Sequence, residues 1–412
     1  MGRIAGRFAR VEPRRHAREL VLGLLAGLPR KNCWTHAEHV GHATPDGLQH
    51  LLARAKWDAE AIRDDLRGFV VDHLGADEVV LVVDETGDLK KGTHTVGVQR
   101  QYTGTAGRIE NSQVAVYLAY STPRGHTAVD RELYVPWSWT DDPDRCRAAG
   151  IPETHTFATK PQLAVRMIER ALDAGIPAGW VTGDEVYGDN THLRTALEKR
   201  GQNYVLAVSC RHHIATPAGN PYQGLQCGRG GRVAAVVGEF AGAAVAADEE
   251  MPVAGTVVGD GGQGPVVVAV AFGSGPGGQL LPGPLRDPLD QGVSADLAGR
   301  RWTVEETFQS SKGLAGLDEH QVRRWTSWHR WVTLAMLAHA FLAAVTALEH
   351  DQHKPSDGLI PLTRNEIQHL FTTFVTRPLH TAIHRLRWSQ WRRRHQARAQ
   401  AAHYQRQDTQ PA

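Results

Sequence analysis

Cysteine is scarce in this 412-residue chain: Cys33, Cys146, Cys210 and Cys227 are scattered, and no Cys-x-x-Cys pair occurs. That excludes a disulfide framework of the secreted kind and fits a reducing compartment. Cys210, His212, His213 and Cys227 bring ligand types together, but their spacing fits no standard zinc pattern, so ordinary loop residues are the plainer reading. A large charge of one sign is also missing, because the formal net charge is only +2. The overall balance therefore announces no polyanionic partner. Arg far outnumbers Lys, which points to GC-rich coding DNA rather than to a mechanism. Long apolar runs are confined to Trp331–Leu348, an Ala-rich stretch with His339 in its middle that barely reaches spanning length. A buried helix is expected there, with no membrane span. The N-terminus lacks an apolar core before a small-residue cleavage site, so no signal peptide is expected and the cytoplasm is the expected location.

The length allows two or three domains. Residues 1–75 read as a helical N-terminal domain, and Ala37–Gly41 followed by Thr44-Pro45-Asp46 resembles a helix-turn-helix. Gly41 would allow the turn, Thr44 would cap the next helix with Pro45 at its first position, and Leu48, Leu51, Leu52 and Ala55 would form its apolar stripe. A DNA-binding unit and a plain helical hairpin both fit. From residue 76 to 209 the texture is strands in a meander (Val79–Val83, Thr95–Gln101, Gln113–Tyr120, Arg131–Val135). Strands then alternate with helices (Leu163–Ala174, Trp180–Gly183, Thr191–Arg200, Tyr204–Val208). This describes an α/β fold with a mixed, ribonuclease-H-like sheet. Residues 210–299 form a Gly-rich insertion that reads as β-rich, with candidate strands at Val233–Val237, Thr256–Val258 and Val266–Ala271; residues 300–350 return to helix, and 351–412 end in a basic tail.

Three carboxylates stand in informative settings. Val79–Val83 runs into Asp84, Trp180–Gly183 runs into Asp184, and Glu305 lies in a helical segment. Glu85 and Asp88 rival Asp84, and Glu185 rivals Asp184; in each pair the residue directly after the apolar strand is the preferred one. A lone Asp at a strand end is more often a turn former than a ligand. Together, two strand ends and a helix can place three carboxylates around hard divalent cations, which take oxygen ligands. Such ions can activate a nucleophile and stabilise the leaving oxygen of a phosphodiester. Arg301, Glu305, Phe308 and Lys312 are spaced by four, three and four, which puts them on one helix face. Arg301 and Lys312 could clamp phosphate oxygens there, although the same spacing also describes a solvated salt-bridge face. In the tail, Arg385, Arg387, Arg392, Arg393 and Arg394 are interleaved with Trp388 and Trp391. They could neutralise phosphates and stack on bases, or form an amphipathic helix with two buried tryptophans.

The motifs resemble those of the DDE transposases of bacterial insertion sequences, in particular the insertion-sequence 701 family. The resemblance rests on Asp84-Glu85-Thr86-Gly87 with Lys90-Lys91-Gly92, on Val96–Arg108, and on Asp130-Arg131-Glu132-Leu133-Tyr134. It continues through Trp180–Gly188, Arg301-Trp302-Thr303-Val304-Glu305-Glu306 with Lys312, and Gly316-Leu317-Asp318. It implies a ribonuclease-H-like fold, two Mg²⁺ or Mn²⁺ ions held by Asp84, Asp184 and Glu305, and double-stranded DNA as partner. It also implies a synaptic homodimer, cleavage at the element's ends, and joining of the 3′-hydroxyl to target DNA. Arg301, Glu305 and Lys312 match the Arg-x3-Glu-x6-Lys part of a signature of related transposases; Ala298 stands where those carry Tyr. That leaves open whether hairpin intermediates form. The stretch Thr216–Leu297, with no Lys or Trp, departs from the β-strand insertion of the family and reads either as a segment translated in a shifted frame or as a divergent insertion. A decayed copy that binds DNA without cutting it is the alternative function.

Overall fold

A computed structural model describes residues 1–208, 213–215, 221–223, 253–256, 267–271, 291–352, 360–376 and 381–408. In chain order the helices and strands are α1 (Val11–Leu25), α2 (Cys33–His39), α3 (Asp46–Ala53), α4 (Ala59–Leu74), β1 (Val80–Leu89), β2 (Gln99–Thr103), β3 (Arg108–Thr122), β4 (Gly125–Leu133), α5 (Trp137–Thr140), α6 (Pro143–Ala149) and α7 (Lys160–Asp173). They continue with β5 (Trp180–Gly183), α8 (Glu185–Gly188), α9 (Thr191–Lys199), β6 (Tyr204–Val208), β7 (His213–Ala215), β8 (Pro221–Gln223), β9 (Val253–Thr256), β10 (Val267–Ala271), α10 (Gln291–Ala315), α11 (Trp325–Gln352), α12 (Arg364–Phe374) and α13 (Ala382–Asp408). The chain divides into two compact units, residues 66–309 and residues 1–65 with 310–412.

The first unit is α/β. Its main sheet has the order β2-β3-β1-β5-β6-β10-β9, with β4 paired to β3. β1 runs antiparallel to β3 and parallel to β5, and β5 runs parallel to β6. Val80–Val83 are all buried, as a central strand covered on both faces requires, which explains a continuous β-branched run in place of alternation. α7 begins with a capping box at Thr159 and Gln162 and carries Pro161 in its first turn. It lays Leu163, Ala164, Met167, Ile168 and Ala171 against β3, β4 and β1. α10 docks in this unit through Thr303 to Ser121 (3.2 Å), Thr307 to His126 (2.6 Å), and Phe308 edge-on to Tyr117.

The second unit is helical. α11 has the length and hydropathy of a membrane-crossing helix, yet 78% of its apolar window is buried within the fold. Its Arg330 donates to the carbonyls of Leu51, Leu52, Ala55 and Trp57, which satisfies the end of α3 from inside the core. Leu48, Leu51, Leu52 and Ala55 are buried as their periodicity demands, and Gly41 takes φ +88° in the α2–α3 turn. The cap differs from expectation. Pro45 is the N-cap of α3, and Thr44 hydrogen-bonds the Asp46 carboxylate instead of the helix backbone.

The strand at Val266–Ala271 exists as β10. The expected strand at Val233–Val237, the side chains of the Cys210–Cys227 group, and most of the Gly-rich stretch lie outside the described residues.

Candidate active site

The parallel ladder between β1 and β5 ends at the pair Val83 and Gly183. Asp84 and Asp184 are the next residue on each strand, so equal register sets them side by side at the carboxyl ends of adjacent parallel strands. That is where open α/β sheets hold their ligands. Asp84 does not end its strand, however. β1 continues to Leu89 because β3 is long enough to pair with it throughout, with Asp84 opposite Tyr117. Only the parallel side of β1 stops at the carboxylate.

Both carboxylates are half-buried and both resist ionisation. Burial holds Asp84 well above the usual carboxylate range, reinforced by the negative charges of Asp184 and Glu85. A hydrogen bond from the Glu85 amide and the charge of Arg301 act in the opposite sense. Asp184 is pushed up to about 6, first by burial and then by Glu85, against a hydrogen bond from the Val186 amide (3.0 Å) and the charge of Arg301. Clustered carboxylates that disfavour their own charge are what an incoming cation relieves.

Glu305 projects from α10 and is exposed. Burial raises its pKa and Arg301, one turn earlier, lowers it. Arg301 thus lowers the pKa of Asp84, Asp184 and Glu305 alike. Phe308, one turn after Glu305, seats this face of the helix on Tyr117, the residue opposite Asp84. Lys312 lies further along the same helix and is half-buried, while Glu306 turns aside to His126 at 3.3 Å.

Three side chains that shape this site do not stand out from the sequence. Glu85 appears there only as a rival of Asp84; in the fold it accepts hydrogen bonds from Tyr187 (2.6 Å) and Lys160 (2.5 Å). Tyr187 is fully buried, and burial and Glu85 raise its pKa far above normal, so it stays a proton donor. Its place in Asp184-Glu185-Val186-Tyr187-Gly188 is the available signal. Lys160, far from Glu85 along the chain, gives none.

The basic tail requires a correction. Trp388 is 1% exposed and donates its indole N–H to the His42 carbonyl at 2.7 Å, so it cannot stack on a base. Trp391 is half-buried, edge-on to Trp34 with 4.9 Å between ring centroids, and Arg392 pairs with Glu38. These three anchor α13 to α2 and its turn. Arg385, Arg387, Arg393 and Arg394 remain exposed.

The α/β unit thus sets Asp84 and Asp184 at the ends of adjacent parallel strands. Residues 4–250 match the model of the DDE superfamily endonucleases, and the chain belongs to that family. Asp84 and Asp184 fall inside the matched segment. The chain is also 30% identical over 197 residues to a protein of Microchaete diplosiphon described as "Probable transposase for insertion sequence element IS701". That similarity covers 47% of this chain and 49% of the relative, so it spans about half the relative's length.

Proposed function

We propose that the protein is a DNA transposase with a ribonuclease-H-like core that cleaves the ends of an insertion sequence and joins the 3′-hydroxyl to target DNA. One observation carries the reading: the shared register of β1 and β5 juxtaposes Asp84 and Asp184. The strand order β4-β3-β1-β5-β6, antiparallel and then parallel, supports the fold assignment.

Asp84, Asp184 and Glu305 would hold two Mg²⁺ or Mn²⁺ ions. The donor set fits, since it is all oxygen and burial raises the pKa of all three carboxylates, with the charge of Asp184 adding to the shift of Asp84. When bound, such ions supply an activated attacking oxygen and a stabilised leaving oxygen. The protein's own part is positional. The strands fix two carboxylates rigidly, and Arg301 on α10 offers a guanidinium fork for a phosphate beside Glu305. Lys160 and Tyr187 hold Glu85 so that its charge faces the pair. The family association with DNA and the exposed arginines of α13 support double-stranded DNA as partner, acting in the cytoplasm on the nucleoid, with a homodimer pairing two ends.

A strand-transfer assay distinguishes the alternatives. A labelled duplex ending in the element's terminal 3′-hydroxyl is incubated with a target plasmid and Mg²⁺. Joined product supports a transposase, cutting of a longer substrate without joining supports a plain nuclease, and end binding alone supports a decayed DNA-binding copy.

A further inference from the structure

The helical unit carries a second cluster of metal-capable side chains, built from residues that the proposed chemistry does not use. Among the described residues, His16, Glu19 and His42 have ligand atoms that all lie within 4.8 Å of one another. We propose that these three residues bind a divalent transition ion of the zinc class and pin α1 to the α2–α3 turn.

The local structure assembles them. His16 and Glu19 are three apart on α1 and therefore share a face. His42 follows Gly41, whose left-handed backbone turns the chain back toward α1. His42 Nε2 already lies 2.8 Å from Glu19 Oε2, and the two imidazoles meet edge-on with centroids 5.3 Å apart. Gly47 makes room for the arrangement, because a Cβ there would sit 2.8 Å from His16 Cε1. The carbonyl of His42 is held by Trp388, which fixes the turn independently of any ion.

The donor set selects the class of metal. Two imidazoles and one carboxylate suit zinc and its neighbours, whereas Mg²⁺ demands oxygen. Tetrahedral bonds of about 2.0–2.1 Å space ligand atoms roughly 3.4 Å apart, so modest side-chain rotation closes the present arrangement. All three residues are half-buried, which leaves a fourth position for solvent. Burial depresses the His16 pKa, outweighing the charge of Glu19, and keeps the ring in the neutral form a ligand needs. Without an ion, Glu19 and His42 remain joined by a hydrogen bond alone, and the experiment separates the two cases.

Untagged full-length protein, stripped with chelator and supplied with Mg²⁺, is titrated with Zn²⁺ by calorimetry and with Co²⁺ by visible absorption. The proposal expects one saturable equivalent of Zn²⁺, a tetrahedral Co²⁺ band, and a higher Tm with Zn²⁺ than without. His16→Gln and His42→Gln each lose the equivalent, and Glu19→Gln, which keeps its shape and a hydrogen bond to His42, binds at least tenfold more weakly. Asp84→Asn and the Cys210→Ser/Cys227→Ser double variant retain it. Absence of saturable binding by the wild-type chain overturns the proposal. So does full binding by both histidine variants, or loss confined to the cysteine variant, provided circular dichroism shows them folded.

Discussion

Asp84 and Asp184 make the site costly to the apo fold, and pH exposes that cost. A carboxyl whose folded pKa lies above its unfolded value binds more protons in the native state, so stability falls as pH rises between the two values. For Asp184 the window runs from the ordinary aspartate value of 3.8 to about 6, and Asp84 shifts in the same direction. Metal-free protein is therefore expected to lose thermal stability across that range. Asp184→Asn flattens the loss and raises Tm near neutrality while abolishing catalysis, a trade common at active sites. Thermal melts at stepped pH check this; a variant that melts lower than wild type at neutral pH contradicts it. The positions of Asp84 and Asp184 are legible because a β-branched run ending in an acid reports a buried strand reaching its rim. The role of Glu85 is not, since its partners Lys160 and Tyr187 meet it only through the fold.

At the scale of elements, the segments that carry the family resemblance divide into the candidate site and scaffolding. Asp130-Arg131-Glu132 belongs to the scaffold. Asp130 is fully buried on β4, where Arg67 of α4 and Arg170 of α7 converge on it, and Arg170 also reaches Glu132. Two helices are thereby clamped to one strand. Gly188, closing the Asp184 motif, is equally structural, because a Cβ there would lie 1.8 Å from the Ala207 carbonyl oxygen. Gly188→Ala is expected to destabilise by about 3 kcal/mol, at the upper end of the range for overpacking, since backbone rather than a flexible side chain must yield. Chemical denaturation measures it. The strands β5 and β6 and the helix α9 are readable nearly to their boundaries from periodicity and turn residues. β1 reads too short in the sequence because pairing with β3, a long-range fact, carries it past the carboxylate. β4 reads too late, since its first residues pair with the end of β3 across a tight turn.

For the whole molecule, a near-neutral net charge conceals local asymmetry. Arg385, Arg387, Arg393 and Arg394 are exposed on α13, whereas Trp388, Trp391 and Arg392 serve its docking. A basic, Trp-containing helix is plain in the sequence, but which side faces the fold is not, because both tryptophans could equally stack on bases. If the exposed arginines neutralise phosphates, replacing the four by Gln lowers the slope of log K against log salt by roughly 0.9 for each phosphate no longer neutralised. An unchanged slope removes α13 from the DNA interface.

The assignment stands or falls on cleavage. A plasmid carrying both flanking ends of the element, incubated with purified protein in Mg²⁺ or Mn²⁺, should be nicked at those ends. Chelator should stop the reaction, and Asp84→Asn, Asp184→Asn and Glu305→Gln should each reduce it by a factor of a thousand or more, about 4 kcal/mol of barrier, without loss of end binding. Cleavage that survives in Asp84→Asn or Asp184→Asn would contradict the assignment of the site, and end binding without any cleavage by the wild-type chain would contradict the assignment of an active enzyme.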